Sequence, residues 1–494
     1  MTALLAIPIL LPLLGAALSI GAGRSRPAQR IIGVTTLAAV ATASIVLLVR
    51  VDRDGIQSLQ AGGWRAPIGI TLVADGLASI MLVVAMLMLL AVLVYAIGQP
   101  GAEDDHVGFH PVYLVLASGV AAAFLTGDLF NLFVAFEITL MASYVLITLG
   151  GRPEQVRSGM TYVVISLVAS MLFLLALAFI YTATGTLNLA DLSGKIAVLP
   201  SGLRSGLAVL LIVVFGIKSA IFPLFFWLPD SYPTAPSPVT AVFAGLLTKV
   251  GVYALIRSQT LLFPADTQPG NLLLIVAGLT MAIGVLGAIT QNDVKRILSF
   301  HIVSQIGYMV MGLGLFTLAG LAGAVLYIIH HIVVKTTLFL VAGLVELRAG
   351  TSDLGKLSGV ARLEPLLGVL FILPALSLAG IPPFSGFVAK LALVDAGIGA
   401  GAYAIVAVSL AVSLLTLYSM TKIWANAFWG ARRPDPAGRT LTAPRRALMV
   451  WSTAALVALS LGISVASGPL YDLSERAAAD LVDPTNYIDT VLGR

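Results

Sequence analysis

Four lysines and one glutamate lie inside long apolar runs of the sequence. The lysines are Lys218, Lys249, Lys335 and Lys390, each in a different run, and the acid is Glu137 in LFNLFVAFEITLMASYVL. An ionised side chain at the centre of a bilayer costs about 2.5–3.5 kcal/mol on insertion scales, so such residues usually face a protein interior or a wet cavity and serve transport. We therefore interpret these five residues as parts of a pathway for charge.

Each of the five also has a structural interpretation. A lysine near a helix end can extend its ammonium group to the membrane interface, and Glu137 could belong to a structural ion pair. These alternatives weaken when the five are taken together, because they occupy separate apolar runs. Three other acids lie nearer the ends of their runs and fit interface positions or helix caps better: Asp75, Asp128 and Asp395.

A histidine precedes one of these lysines by one helical turn. His331 and Lys335 in LYIIHHIVVKTTLFLV are four residues apart, which puts both on one face of a helix. Histidine titrates near neutral pH, so the pair could pass a proton onward. Two further candidates are His330, turned about 100° away on the same helix, and His301 in SFHIVSQIG, whose expected polar company is Ser299, Ser304 and Gln305. For His301, a hydrogen-bonded cluster at a helix start is an equal alternative.

Proline and glycine interrupt two of the apolar runs. The run with Lys218 reads FGIKSAIFPLFFWLPDSYPTAPSP, and the run before Lys390 reads LPALSLAGIPPFSGFVAK. Proline lacks the backbone N–H and clashes with the preceding turn, so we expect both helices to break near their lysines. Unwound backbone at membrane depth is tolerated only against protein or water, and paired interrupted helices mark the pathway in transporters built from repeats.

The composition requires a membrane-embedded fold. Of the 494 residues, 59% are hydrophobic and 10% are charged, against about 25% charged in an average soluble protein. These values exclude a soluble enzyme, a secreted disulfide scaffold and a disordered chain. The sequence has no cysteine, so it forms no disulfides and no thiolate-bound metal clusters. The net charge of +5 reflects basic loops and predicts contact with membrane lipid, not with nucleic acid.

Apolar runs of about twenty residues recur from end to end, each long enough to cross a hydrocarbon core of ~30 Å. The runs are continuous and do not alternate, which argues against a strand barrel. We therefore predict an all-α polytopic membrane protein with about fourteen transmembrane helices. The predicted spans are 3–22, 31–49, 70–96, 111–127, 129–149, 160–182, 204–228, 237–258, 271–290, 298–316, 321–345, 366–381, the stretch 384–424 taken as two, and 447–468. The first part of 384–424 is expected to be a half-helix, so that 366–398 counts as one broken helix and the total is fourteen.

Basic residues in the loops predict the orientation. With the N-terminus outside, sixteen Lys and Arg residues fall in cytoplasmic loops and eight fall outside, and the remaining four are the lysines within the spans. The positive-inside rule favours this arrangement, which puts both termini outside the plasma membrane if there are fourteen spans. The segment from Pro469 onward is predicted to be an amphipathic tail on the outer surface.

Several long motifs occur in order along the chain. They are DLFNLFVAFEITLMASYVLITLGG, KSAIFPLFFWLPDSYPTAPSPVTAVFAGLLTKVGVYAL, QNDVKRILSFHIVSQIGYM, IIHHIVVKTTLFL and GIPPFSGFVAK. Over nearly its whole length the chain resembles the antiporter-like membrane subunits shared by respiratory complex I and the Mrp cation/proton antiporters. Within that group it is most similar to the D subunits of the Mrp antiporters.

This resemblance implies two inverted five-helix repeats, formed by helices four to eight and nine to thirteen, with helices seven and twelve broken. The predicted regions are 1–110 with helices one to three, 111–262 and 271–430 with the repeats, and 431–494 with a cytoplasmic loop, helix fourteen and a short tail. The family's ionisable residues in helices five, seven, eight, eleven and twelve match Glu137, Lys218, Lys249, the pair His331 and Lys335, and Lys390.

The resemblance further implies a proton-translocating membrane subunit of a multisubunit Na⁺/H⁺ antiporter, a transporter subunit and not an enzyme. It implies other antiporter subunits as partners in a hetero-oligomer, protons and Na⁺ as transported ions, and no cofactor. The alternative is a proton-pumping membrane subunit of NADH:quinone oxidoreductase or of a membrane-bound hydrogenase. A structural scaffold would leave the five buried ionisable residues unexplained. Since one buried carboxylate beside lysines is a poor cage for Na⁺, we expect no metal site here and a cation route in a partner.

Overall fold

The computed structural model describes residues 3–103, 108–430 and 442–493. Within these ranges the chain forms 21 α-helices and one small β-hairpin. Twelve of the helical segments are long and apolar enough to cross a membrane. Two shorter apolar helices occupy the predicted fourth span and the first part of the predicted twelfth. The membrane-embedded helical fold is confirmed, while the total of fourteen spans stays a prediction.

The N-terminal part contains three long helices and the hairpin. Its elements are α1 (Ala3–Gly21), α2 (Arg26–Asp54), β1 (Gln57–Gln60), β2 (Thr71–Ala74) and α3 (Gly76–Gly98). The predicted span 70–96 began too early, because residues 71–74 pair antiparallel with β1. The helix starts after Asp75, whose carboxylate accepts a hydrogen bond of 2.9 Å from the backbone N–H of Ala78. Asp75 is therefore an N-cap, one of the two roles the sequence suggested.

The next part holds the predicted first repeat. Its elements are α4 (Phe109–Leu125), α5 (Leu129–Thr148), α6 (Pro153–Thr184), α7 (Leu189–Ala197), α8 (Ser201–Ser219), α9 (Trp227–Ser231), α10 (Ser237–Val242) and α11 (Thr248–Leu261). A π-helical turn, Phe243–Leu247, joins α10 and α11 into one continuous helix. Such turns interrupt the regular hydrogen-bond ladder and are frequent at functional sites.

The remaining part holds the predicted second repeat and the C-terminal segment. Its elements are α12 (Gly270–Thr290), α13 (Val294–Leu315), α14 (Leu318–Ala349), α15 (Val360–Leu363), α16 (Pro365–Ala379), α17 (Ser385–Gly399), α18 (Tyr403–Ile423), α19 (Ala443–Val465), α20 (Ser467–Val482) and α21 (Thr485–Leu492). The predicted cytoplasmic loop before the last span falls largely on residues 431–441, so its Arg432, Arg433 and Arg439 lie outside the described residues. The segment after α19 is amphipathic, as expected, and forms two helices, which the sequence analysis did not predict.

Both helices that were predicted to break do break. Helix α8 ends at Ser219, well before the predicted limit of 228, and Ala220 takes a left-handed conformation with φ of 60°. The backbone N–H of Phe222, freed by the break, donates to the Thr280 hydroxyl of α12 at 3.0 Å. The other break separates α16 from α17 at Gly380, where φ is 86°. Each break lies within ten residues of a buried lysine in the chain.

The two halves share a recognisable order of elements. Helices α6 and α14 both have 32 residues, and each follows a helix capped by an aspartate. The Asp128 carboxylate accepts from the Asn131 N–H and the Asp293 carboxylate accepts from the Arg296 N–H, both at 2.9 Å. Asp128 also forms a β-bridge with Asn188, and Asp293 forms one with Asp353. In both halves the bridged partner lies 60 residues further along the chain, as a sequence repeat predicts.

The centre of the molecule is helix α14. Every residue from 320 to 345 is buried, and so is every residue of α11. Helices α6, α12 and α18 instead carry exposed apolar side chains on one face, for example Met171, Ile275 and Leu414. Burial of α11 and α14 on all sides explains how lysines on them can be shielded from lipid.

Candidate functional site

The six predicted path residues lie on five helices: α5, α8, α11, α14 and α17. Glu137 is on α5, Lys218 is in the last turn of α8, and Lys249 follows the π-helical turn in α11. His331 and Lys335 are on α14, and Lys390 is on α17. The side chains on α11 and α14 have no exposed surface, Lys390 is 6% exposed, and Glu137 and Lys218 are half-buried.

A serine stands between Glu137 and Lys218. The Ser170 hydroxyl of α6 donates to the Glu137 carboxylate, and the Lys218 ammonium donates to the same hydroxyl at 3.2 Å. The ammonium also donates to the backbone carbonyl of Ser166 at 3.3 Å. Among the described residues no direct ion pair joins Glu137 and Lys218. Because a hydroxyl accepts and donates at once, Ser170 connects the acid to the lysine.

Sequence reasoning missed Ser166 and Ser170. They are four residues apart on α6, so they share one face of that helix. Both are 6% exposed. Two serines at helical spacing in the otherwise apolar stretch VVISLVASMLF were the available signal, although isolated hydroxyls in membrane helices are too common to be specific.

A small cavity adjoins Lys218. Its volume is about 30 Å³, which is room for about one or two water molecules. Polar groups of Lys218, Tyr162 and Ser166 line it together with apolar side chains. Its wall also includes Leu247 and Val250, which flank Lys249 in the chain. The cavity therefore extends from the first lysine toward the second.

Lys249 has only neutral acceptors. Its ammonium donates to the backbone carbonyl of Ala244 in the π-helical turn at 2.5 Å and to the Thr248 hydroxyl at 3.2 Å. Lys335 likewise donates to the backbone carbonyl of Leu298 on α13 at 3.0 Å. Within the described ranges no carboxylate pairs with either lysine. Release of a proton from these groups therefore breaks no ion pair.

His331 and Lys335 share a face of α14, as predicted, but no hydrogen bond joins them among the described residues. Both ring nitrogens of His331 are buried without a protein partner, and its ring stacks on Tyr327 with 6.3 Å between the centroids. A buried imidazole nitrogen is normally hydrogen-bonded. Such a ring beside Lys335 is suited to accept a proton when a donor comes within reach.

The ammonium group of Lys390 lies at the C-terminal end of α16, across the break from its own helix α17. Its ammonium donates to the carbonyls of Leu378 and Ala379 at 3.0 and 3.1 Å and to the Ser413 hydroxyl at 2.9 Å. It also lies 5.0 Å from the centre of the Tyr308 ring. The last carbonyls of α16 lack helical partners and carry the negative end of its dipole. The break therefore supplies the site that holds this lysine.

The two additional histidines contact serines. His330 Nδ1 lies 2.8 Å from the Ser385 hydroxyl, which in turn lies 3.0 Å from the Ser377 hydroxyl. His301 Nε2 lies 2.9 Å from the Ser419 hydroxyl of α18. His330 thus reaches the start of α17, on which Lys390 lies.

Ser299, Ser304 and Gln305 were expected to surround His301, but all three hydrogen-bond to other groups. Ser299 donates to the backbone carbonyl of Lys295 one turn earlier in the same helix. Ser304 donates to the backbone carbonyl of Met281 on α12. Gln305 accepts from the Tyr327 hydroxyl. The ring of Tyr327 stacks on that of Tyr308 with 5.1 Å between centroids, so two tyrosines connect the surroundings of His331 and Lys390. Sequence reasoning missed both tyrosines.

The six path residues and the groups that they contact bring together ammonium, imidazole, hydroxyl and carbonyl groups, and Glu137 is the one acid among them. Among the described residues, no three His, Asp or Glu side chains are placed to hold a metal ion. Groups that gain and lose protons alternate with groups that can donate and accept hydrogen bonds. The chemistry that this arrangement can support is proton transfer from one helix to the next.

Comparisons with known proteins identify the family of the chain. Residues 126–416 match the family described as NADH:quinone oxidoreductase/Mrp antiporter, TM, and this range contains every candidate path residue. The D subunit of the Na⁺/H⁺ antiporter of Alkalihalophilus pseudofirmus is 46% identical over the full length of both chains. The D subunit from Bacillus subtilis is 40% identical over 98% of each chain.

A solved structure of the Mrp complex from Dietzia sp. DQ12-45-1b contains a chain with a TM-score of 0.94 to this one. The two are 34% identical, and the match covers all of both chains. Sequence identities of 34% and 46% over whole chains show a shared family and not only a shared fold. The chain therefore belongs to the NADH:quinone oxidoreductase/Mrp antiporter membrane-subunit family and, within it, to the antiporter D subunits.

Proposed function

We propose that this chain carries protons through the membrane as a subunit of a multisubunit Na⁺/H⁺ antiporter, using Glu137, Lys218, Lys249, His331, Lys335 and Lys390. The observation that carries the proposal is the set of buried lysines that bond only to carbonyls and hydroxyls. Lysine ammonium groups held without a carboxylate can lose a proton and regain it. The full-length likeness to antiporter D subunits favours this role over that of a subunit of NADH:quinone oxidoreductase or of a membrane-bound hydrogenase.

Glu137 would control the first transfer. When its carboxylate is negative and bonded to Ser170, it favours the charged form of Lys218. When that charge is neutralised or drawn away, Lys218 can release its proton toward Lys249. Moving one charge across the membrane changes the energy by about 2.3 kcal/mol per 100 mV, so modest changes in this hydrogen-bonded link can gate the path.

The later transfers would involve α14 and α17. Lys249 and Lys335 lie on the two central helices, His331 is one turn from Lys335, and Lys390 ends the line beside Ser413 and Tyr308. His330, through Ser385, and His301, through Ser419, offer side branches. We place the Na⁺ route in a partner subunit or at an interface, since the path described here offers Na⁺ a single carboxylate.

We further propose the plasma membrane as the location, both termini on the outer side, and regions 1–110, 111–262, 271–430 and 431–494 as the N-terminal helices, two repeats and C-terminal part. One observation supports the expected alternation of the spans between the two sides of the membrane. Residues just beyond the ends of the third, fifth, ninth and eleventh predicted spans and the first residue of the eighth line a single cavity: Gln99, Arg152, Lys295, Glu346 and Ser237. All five belong to the side that the basic loops predict to be cytoplasmic.

The test compares the assembled complex with this chain alone. Proteoliposomes with the purified complex should show Na⁺-dependent proton movement, read by a pH-sensitive dye inside the vesicles. Proteoliposomes with this chain alone should show none, because it carries only the proton half of the exchange. Robust exchange by the single chain, or none by the complete complex, contradicts the proposal.

A further inference from the structure

A large cavity opens at the end of the bundle that is predicted to face the cytoplasm. Its volume is about 580 Å³, and it lies between the two predicted repeats. An ion pair of Lys295 on α13 and Glu346 on α14 forms part of its wall. The lysine side chain is 6% exposed and the carboxylate 39% exposed. The carboxylate is therefore the member of the pair that water in the cavity can reach.

Two hydroxyls lead inward from this carboxylate. Ser237 Oγ lies 3.5 Å from Glu346 Oε2, and the Tyr95 hydroxyl of α3 lies close by. A Cβ added at Gly343 would stand 2.6 Å from the Tyr95 hydroxyl and 2.7 Å from Ser237 Oγ. The two hydroxyls thus both lie against this glycine, and any larger residue there would separate or displace them.

The polar side chains continue toward the centre of the membrane. The Tyr95 hydroxyl donates to the carbonyl of Leu340 at 2.9 Å. One helical turn deeper on α14, the Thr336 hydroxyl is buried without a partner. It lies directly over Gly245, where a Cβ would collide with it. Gly245 follows Ala244, whose carbonyl accepts from Lys249.

We propose that this cavity is the cytoplasmic vestibule of the proton path, that Glu346 collects protons from it, and that Ser237, Tyr95 and Thr336 relay them to Lys249. This inference rests on the proposed function. Glu346 lies eleven residues beyond Lys335 on α14, or about 16 Å along the helix. That length matches half of a ~30 Å hydrocarbon core.

The transfer balances as a proton relay. A hydronium ion in the cavity gives one proton to the Glu346 carboxylate, and the resulting carboxyl group donates it to the Ser237 oxygen as the serine releases its own proton onward. Tyr95, Thr336 and Lys249 make no hydrogen bonds to one another among the described residues, so water molecules between them would carry the exchange, each giving up one proton as it takes another. The neutral Lys249 amine takes the last proton. One proton enters and one arrives, and no electron moves.

Lys295 positions the collecting carboxylate and does not itself accept the proton. Its ammonium is nearly buried and holds Glu346 at the cavity wall. The other ionisable groups on the wall of this cavity are Arg152 and, just beneath it, Tyr95. A purely structural ion pair would tie α13 to α14 but would not need Ser237 or the cavity.

The first test uses cysteine accessibility, because the chain has no cysteine of its own. In the assembled complex, Ser237→Cys should react with a membrane-impermeant, positively charged thiol reagent added from the cytoplasmic side and not from the outside. Ser258→Cys is the matched control, since both serines are 1% exposed and Ser258 lies on α11 away from this cavity. Background labelling is read from the complex with the unaltered chain.

The labelling outcome decides the vestibule independently of transport. Cytoplasmic labelling of Ser237→Cys, with Ser258→Cys unlabelled, supports it. Equal labelling of the two, labelling of Ser237→Cys from outside, or none at all overturns it. If Ser237→Cys is labelled while a Glu137 variant transports normally, the proposed path fails and the vestibule stands, so the two failures are distinguishable.

The second test concerns Glu346. Glu346→Gln should slow proton uptake by the complex at least about tenfold, as loss of a positioned proton carrier does, and the loss should be greater at pH 9 than at pH 7 because collected protons are then scarcer. Glu346→Asp should restore most of the rate. Equal losses at both pH values, with a fall in the amount of assembled complex, would return the Lys295–Glu346 pair to a structural role.

Discussion

Replacement of Glu137 by alanine is expected to abolish Na⁺/H⁺ exchange by the complex while the complex still assembles. The substitution removes the acceptor of the Ser170 hydroxyl and with it the negative charge that influences Lys218. Since Glu137 is half-buried and makes no ion pair within the described residues, its loss should leave the helix packing intact. Recovery of a quenched pH-sensitive dye on Na⁺ addition to everted vesicles measures exchange, and co-purification of the subunits measures assembly.

Three further variants separate the effect of the Glu137 charge from the effects of its size, of the Ser170 hydroxyl and of an unrelated acid. Glu137→Gln keeps the size and should be as inactive as the alanine variant. Ser170→Ala keeps both charged groups but removes the hydroxyl between them, and should lower the rate several-fold without abolishing exchange. Glu154→Ala, which removes an exposed acid in the first turn of α6, is the control and should be normal. Normal exchange by an assembled Glu137→Ala complex would remove this residue from the path.

Lys390→Arg and Lys390→Ala are both expected to inactivate the complex. Arginine keeps the positive charge, but a guanidinium does not lose its proton in proteins, so it cannot act as a relay. Alanine removes the charge and leaves the carbonyls of Leu378 and Ala379 with one donor fewer. A structural cation at the end of α16 should tolerate arginine and suffer from alanine. A proton relay should fail with both, with rates reduced at least about a hundredfold.

The controls for Lys390 are the same two substitutions at Lys356. Its side chain is 73% exposed in the loop after α14, so neither change should alter exchange. Assembly is checked by co-purification in each case. Near-normal exchange by the assembled Lys390→Arg complex would show that this lysine is structural, and Lys335 would then become the last relay of the second half.

The sequence predicts the burial of the lysines in apolar runs because burial of charge is expensive. A lysine in an apolar run is conspicuous, and Lys249 and Lys335 are indeed fully buried. Proline and glycine near Lys218 and Lys390 likewise predict the breaks, because their backbone effects are local. These features depend on residue type and neighbouring sequence, which can be read without knowledge of the packing.

The connecting groups could not be predicted in the same way. Ser170, Ser385 and Ser413 acquire their importance from which side chain lies opposite, and that is set by contacts between helices far apart in the sequence. Lys295 and Glu346 are 51 residues apart in the sequence. Each lies just after a predicted span, where charged residues are common, so neither was conspicuous. A hydroxyl in an apolar helix is common, so its sequence position alone is a weak signal.

The exact ends of helices and strands could not be predicted from the sequence either. The strand at residues 71–74 is as apolar as the start of a helix, and only its pairing with β1 distinguishes the two. The π-helical turn before Lys249 is formed by ordinary helical residues, FAGLL, and leaves no mark in the sequence. Its carbonyl of Ala244 nevertheless holds the lysine. Tertiary packing, not local preference, decides such details.

The central claim is that the ionisable residues of the two halves form one connected line through the middle of the membrane. A structure of the complete antiporter complex, at a resolution that shows ordered water, tests it most directly. We expect water molecules and hydroxyls to link Lys218 to Lys249, Lys249 to Lys335 past His331, and Lys335 to Lys390 in an unbroken chain of hydrogen bonds. Dry apolar packing between Lys249 and Lys335, with water confined to the two ends, would contradict the account.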